Sequence, residues 1–222
     1  MAHRTLNPSL QQFLILVGLV ALAYVLWGTL VMYPFELITT FLHEISHAFG
    51  FLLTGGSVIE MNIHADTSGT LPGYGGSKFV IFSSGYVGSC IFGSLLYFSA
   101  AKSDYDRWIL AFLGTGILAL TYAFNGNDFA WISGVLIAVT SILFAKFAPK
   151  AACDYLIRFI GLTSMLFPIY DVYMGVVKNP QLRTDAAMLA EAVGGSTVMW
   201  GWIWILVSIL VVIATVFKSV KA

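Results

Sequence analysis

The segment Phe41-Leu42-His43-Glu44-Ile45-Ser46-His47-Ala48-Phe49 sets two histidines four residues apart, with a glutamate directly after the first. On a helix that spacing puts both imidazoles on one face, about one turn apart, where they suit two corners of a tetrahedral zinc site. Glu44 sits beside them. From there it can accept a proton from an attacking water and pass it to a leaving amine, the general-base chemistry of a metalloprotease. With only four histidines in the chain, chance would produce an HExxH on the order of 0.001 times. An ionisable group at the centre of a bilayer costs about 2.5 to 3.5 kcal/mol, and Ser or Thr joins membrane helices at lower cost. A divalent metal is the partner that compensates for the cluster His43, Glu44 and His47.

A catalytic zinc takes three protein ligands and keeps a fourth position open, so the chain must supply one more. His3 lies in the N-terminal tail, and His64 lies in a loop and reads as solvated. Cys90 and Cys153 fall in or beside apolar segments without CxxC spacing and read as packing residues. Carboxylates remain. Asp171, in Phe167-Pro168-Ile169-Tyr170-Asp171-Val172, is the acidic residue deepest in a later apolar segment, and Pro168 offers a kink toward the centre. It is the expected third ligand. The alternative is Asp185, in Arg183-Thr184-Asp185-Ala186-Ala187, whose ordinary role would be a cap or first-turn acid of a short helix. Asp128, Asp154 and Glu36 read as caps or first-turn acids only.

The elements that must position these groups belong in a bilayer. Of 222 residues, 59% are hydrophobic and only 10% charged, far from the make-up of a soluble domain. Net charge is zero, so no basic footprint for nucleic acid exists. Apolar stretches near Gln12–Met32, Phe35–Leu53, Phe79–Ala101, Trp108–Phe124, Phe129–Phe147, Tyr155–Val177 and Val198–Phe217 are each long enough to cross the hydrocarbon core. The expected fold is an all-α membrane bundle of about six to seven transmembrane helices in a single domain, residues 1–222. The uncertain break lies at Tyr33-Pro34. The first apolar run exceeds the core of a signal peptide and is expected to stay as a membrane helix. Lys102, Arg107, Lys146, Lys150, Arg158, Lys218 and Lys221 collect on one side, against Arg4, Lys78, Lys178 and Arg183 on the other. By the positive-inside rule the C-terminus is expected to be cytoplasmic.

Two connections carry patterns of their own. Thr54 to Ser77 alternates through Val58-Ile59-Glu60-Met61-Asn62-Ile63 and then turns through Gly69, Pro72, Gly73, Gly75 and Gly76, which predicts a short β-hairpin. Its strand, with Val58, Ile59 and Met61, is the expected edge on which an unwound substrate adds as a further strand. Lys178 to Ser196 predicts a short surface helix stopped at Gly194-Gly195. Ser84, Gly88, Ser89 and Gly93 form a small-residue face that lets a neighbouring helix approach closely.

The chain resembles the site-2 protease-like intramembrane zinc metallopeptidases, in particular the compact branch without a PDZ domain. The resemblance rests on His43-Glu44-Ile45-Ser46-His47, then Thr54-Gly55-Gly56, Gly85-Tyr86-Val87-Gly88, and the late Thr184-Asp185-Ala186 with Trp200-Gly201-Trp202. It implies a zinc held by His43, His47 and an aspartate of a later helix, Glu44 as general base, and cleavage in or near membrane-spanning segments of other proteins. Neither Tyr170-Asp171-Val172 nor Thr184-Asp185-Ala186 carries the Leu-Asp-Gly or Asn-Pro-Asp-Gly pattern of better-known members. A second reading therefore stays open, a catalytically inactive scaffold or quality-control protein of the same fold that binds client helices.

Overall fold

The computed structural model describes residues 8–220; His3, Arg4 and Lys221 lie outside them. The order is α1 (Pro8–Leu26), α2 (Tyr33–Leu53), β1 (Ser57–Val58), β2 (Asn62–Ile63), β3 (Gly69–Thr70), β4 (Gly73–Tyr74), α3 (Lys78–Lys102), α4 (Asp106–Ala123), α5 (Asp128–Phe147), α6 (Lys150–Asp171), α7 (Asp185–Val193) and α8 (Thr197–Val220). A π-helical turn, Val172–Val177, continues α6. The molecule is an all-α membrane bundle with a small β-hairpin. Long helices occupy all seven predicted stretches, and four of them, α3, α5, α6 with its π turn, and α8, are apolar enough to cross a membrane by length and composition alone. The polar site residues buried in α2 dilute its apolar character, which is why composition alone passes it over.

The first break does not fall at Pro34. α1 ends at Leu26, Gly28 takes a left-handed φ of 74°, and α2 begins with Pro34 in its first turn. Proline there gives up an amide that a helix start leaves unpaired anyway, so it opens the helix and does not break it. Glu36, also in that first turn, accepts from the Gly28 amide at 3.4 Å. α6 runs through Pro168 and widens into the π turn a few residues later.

Small residues set the spacing of the central helices. A Cβ on Gly93 would stand 2.5 Å from the Gly161 carbonyl oxygen, and one on Gly161 would stand 2.6 Å from that of Gly93. The backbones of α3 and α6 therefore touch reciprocally. Gly88 of α3 gives room to the Ser46 side chain of α2, which a Cβ there would meet at 2.5 Å. The small-residue face thus seats α3 against both α2 and α6. Cys90 and Cys153 are buried, unpaired packing residues, as expected. At the basic end of the bundle Lys150 pairs with Asp104, Arg158 with Asp154 at 2.7 Å, and Arg107 reaches the Ala148 carbonyl at 3.0 Å.

The hairpin folds as two nested antiparallel pairs, Ser57 with Tyr74 and Val58 with Gly73, then Asn62 with Thr70 and Ile63 with Gly69. It is fastened to the bundle. Asn127, which caps α5, also receives the Ile63 amide at 3.2 Å and donates to the Ile63 carbonyl at 3.0 Å. The Met61 amide donates to the Phe124 carbonyl, and the hydroxyls of Tyr33 and Thr40 reach the carbonyls of Ala65 and Thr67.

Candidate metal centre

α2 buries nearly every side chain from Leu37 to Phe51, and His43, Glu44 and His47 are among them. One helical turn brings the two imidazoles edge to face, with Nε2 atoms 3.0 Å apart. They can point at α3 because Gly85 stands opposite: a Cβ there would lie 2.6 Å from both Cε1 and Nε2 of His43 and closer still to His47 Nε2. His47 is oriented from behind. Its Nδ1 faces the Ile81 carbonyl at 2.7 Å, and since a carbonyl only accepts, Nδ1 carries the proton and Nε2 of the neutral ring keeps its lone pair.

The third atom comes from α7. Asp185 Oδ2 lies 3.1 Å from His43 Nε2 and 3.1 Å from His47 Nε2. Three acceptor atoms packed this tightly repel one another unless a cation or proton lies between them. Tetrahedral zinc separates its ligand atoms by about 3.3 Å, so this triangle fits such an ion with a few tenths of an ångström of adjustment. His43, His47 and Asp185 are also the group that could hold a metal among the described residues.

Asp171, the expected third ligand, is not brought to this triangle. Its Oδ2 accepts from the Tyr86 hydroxyl at 2.7 Å. Depth along the sequence favoured it, but what decides is which helix end folds back over α2. Thr184 supplies the cap of α7, its hydroxyl accepting from the Ala187 amide at 3.4 Å. The aspartate that follows is therefore free to reach inward. Asp128 stays a first-turn acid and Asp154 pairs with Arg158, neither at the site. His64 is exposed.

Glu44 lies on the neighbouring side of α2, buried, with Oε2 lacking a hydrogen-bond partner among the described residues. Gly69 of β3 leaves room for it, since a Cβ there would meet the Glu44 carboxylate. Both open into a cavity of about 790 Å³ bordered by α2, the hairpin, α3, the end of α6 and the start of α7. The hairpin contributes Glu60, Asn62 and the run Thr67 to Gly73.

Val58, Ile59 and Met61, the expected substrate edge, are not on that cavity. Val58 pairs with Gly73, the Ile59 amide donates to the Pro72 carbonyl at 2.9 Å, and Met61 is fully buried in the core. The Ile59 and Met61 amides already donate within the chain. The alternating pattern marked the strand correctly, but the arm that faces Glu44 is the Gly-rich return, β3 and β4. Gly85 appeared in the sequence only as part of a family motif; Gly69 carried no signal beyond that of a turn.

No curated protein and no solved structure matches the chain. The family described as Peptidase M50B-like matches residues 15–215, nearly the whole length that holds α2, the hairpin, α3 and α7. The chain therefore belongs to the Peptidase M50B-like family, the membrane metallopeptidases of the site-2 protease type that its HExxH helix resembles.

Proposed function

We propose that this protein is an intramembrane zinc endopeptidase that hydrolyses peptide bonds in or near the transmembrane segments of other membrane proteins. The observation that carries the reading is the triangle of His43 Nε2, His47 Nε2 and Asp185 Oδ2 at 3.0 to 3.1 Å, with Glu44 beside it on the same cavity. Zinc bound by these three residues would supply the Lewis acidity that peptide hydrolysis needs. Glu44, with one carboxylate oxygen unpartnered among the described residues, takes the proton of the attacking water and returns it to the leaving amine. His47 is locked by Ile81 in the tautomer that presents Nε2, and Asp185 balances positive charge at a partly buried position on the cavity.

A membrane-embedded substrate must leave its helix before its amide reaches this site, and each backbone group then needs a new partner. The run Thr67 to Gly73 offers main-chain groups along the cavity wall, so an unwound segment lies beside this arm in place of the Val58 strand. The basic end of the bundle, with Lys102, Arg107, Lys146, Lys150 and Arg158, is assigned to the cytoplasmic side, and the C-terminus with it.

The test pairs two measurements on purified protein: zinc per chain, and cleavage of a membrane-spanning substrate by wild type against Glu44→Gln. One zinc in both, with cleavage lost in the variant, is the expected result. A wild type that binds no zinc ends the proposal. One that binds zinc while neither form cleaves any substrate favours the inactive scaffold.

A further inference from the structure

The two imidazoles of the triangle are held in different ways. His47 donates from Nδ1 to the Ile81 carbonyl at 2.7 Å, the outer contact by which metal-binding histidines are ordinarily fixed in tautomer and ring plane. His43 has no such contact: its Nδ1 is buried without a hydrogen-bond partner among the described residues. What encloses the His43 ring is aromatic. Tyr86 meets it edge-on at 4.6 Å between centroids, with planes 73° apart, and Phe167 stands at 6.4 Å. Tyr86 is in turn fixed at both ends, its ring against Trp204 at 5.3 Å and its hydroxyl donating to Asp171 Oδ2 at 2.7 Å.

A simple tie between α3 and α6 does not call for this pair. The two helices already interlock backbone to backbone at Gly93 and Gly161, and an ionisable group at membrane depth is costly. Asp171 is moreover the last α-helical residue before the π turn Val172–Val177, and such turns are frequent where a helix is shaped for a functional site.

We infer that Asp171 and Tyr86 are positioning residues of the metal centre. The Asp171 carboxylate fixes the Tyr86 hydroxyl, and the anchored ring holds the His43 imidazole in its ligand orientation, the task that the Ile81 carbonyl performs for His47. The inference rests on the metal reading of the triangle. Asp171, expected from the sequence to bind the ion itself, acts through Tyr86 and then His43.

The experiment uses the full chain in detergent. Zinc affinity is measured by competition with a chelating dye, the cobalt(II) absorption spectrum reports ligand geometry, and thermal unfolding reports stability. Tyr86→Phe and Asp171→Ala should each weaken zinc binding about 10-fold and shift the cobalt bands, and the double variant should be no weaker than either alone. Asp171→Asn, whose amide oxygen still accepts the hydroxyl, should remain close to wild type. Ser94→Ala, which removes the 2.6 Å bond from α3 to Thr215 of α8, should lower stability and leave affinity and spectrum in place. Wild-type affinity and spectrum in both Tyr86→Phe and Asp171→Ala would overturn the inference, as would an equal loss in Ser94→Ala. A wild type without zinc removes the metal reading and this inference together, whereas zinc-loaded variants indistinguishable from wild type remove only the latter.

Discussion

Asp185 Oδ2 stands 3.1 Å from His43 Nε2 across 142 residues of chain. The aspartate sits in the first turn of a nine-residue helix, and its carboxylate turns away from that helix because Thr184 already caps it. Replacing Asp185 with alanine should reduce bound zinc to well under one per chain after dialysis, a loss of at least about 100-fold in affinity for a direct ligand compared with the smaller effect of an outer partner. Metal analysis decides it. Retention of a full zinc would remove Asp185 from the ligand set.

Gly85 is a second point of failure. Alanine there places a methyl group against both imidazoles, so zinc should be lost while the helical circular dichroism stays at the wild-type level. Gly116→Ala is the control, because nothing lies within 4 Å of its added Cβ and a helical Gly→Ala change costs nothing there. Equal zinc content in the two variants would show that the close fit at Gly85 does not matter.

Gly69→Ala separates proton transfer from metal binding. The atoms nearest the new methyl group all belong to the Glu44 side chain. Cleavage should fall at least about 10-fold, within the contribution ordinary for a general base, with zinc still bound. A variant that cleaves normally would mean that Glu44 has other room to move.

Gly161→Ala tests the frame. Its methyl group would press on the Gly93 carbonyl oxygen at 2.6 Å and the Tyr97 amide nitrogen at 2.7 Å, and backbone cannot step aside as a side-chain end can. Destabilisation of about 1 to 3 kcal/mol is expected for such overpacking, read as a lower midpoint in thermal or denaturant unfolding in detergent. An unchanged midpoint would show that α3 and α6 can separate freely.

The sequence was legible where its signals were local. The HExxH spacing located the face of α2 that carries His43 and His47, apolar length located the seven long helices, alternation followed by glycines located the hairpin, and Gly194-Gly195 located the stop of α7, where both residues adopt positive φ. What depended on the return path of the chain was not legible. The apolar run around Asp171 and the cap-like setting of Asp185 favoured the first as ligand, and only the fold shows that Asp171 reaches Tyr86 and Asp185 the imidazoles. Val58, Ile59 and Met61 illustrate the same limit: strand pattern is a property of a few neighbours, whereas which arm of a hairpin faces a glutamate is fixed by Asn127, Phe124 and Thr40, all distant in sequence. Gly85 and Gly69 matter through side chains they lack, and an absent side chain leaves no pattern to read.

Because the triangle draws on α2 and on α7, the ribosome must deliver the chain through α7 before all three donor atoms exist. A nascent chain carries both histidines long before it carries Asp185. Under the proposed function, a product truncated before α7 would carry both histidines without the third donor, and would therefore lack hydrolytic competence.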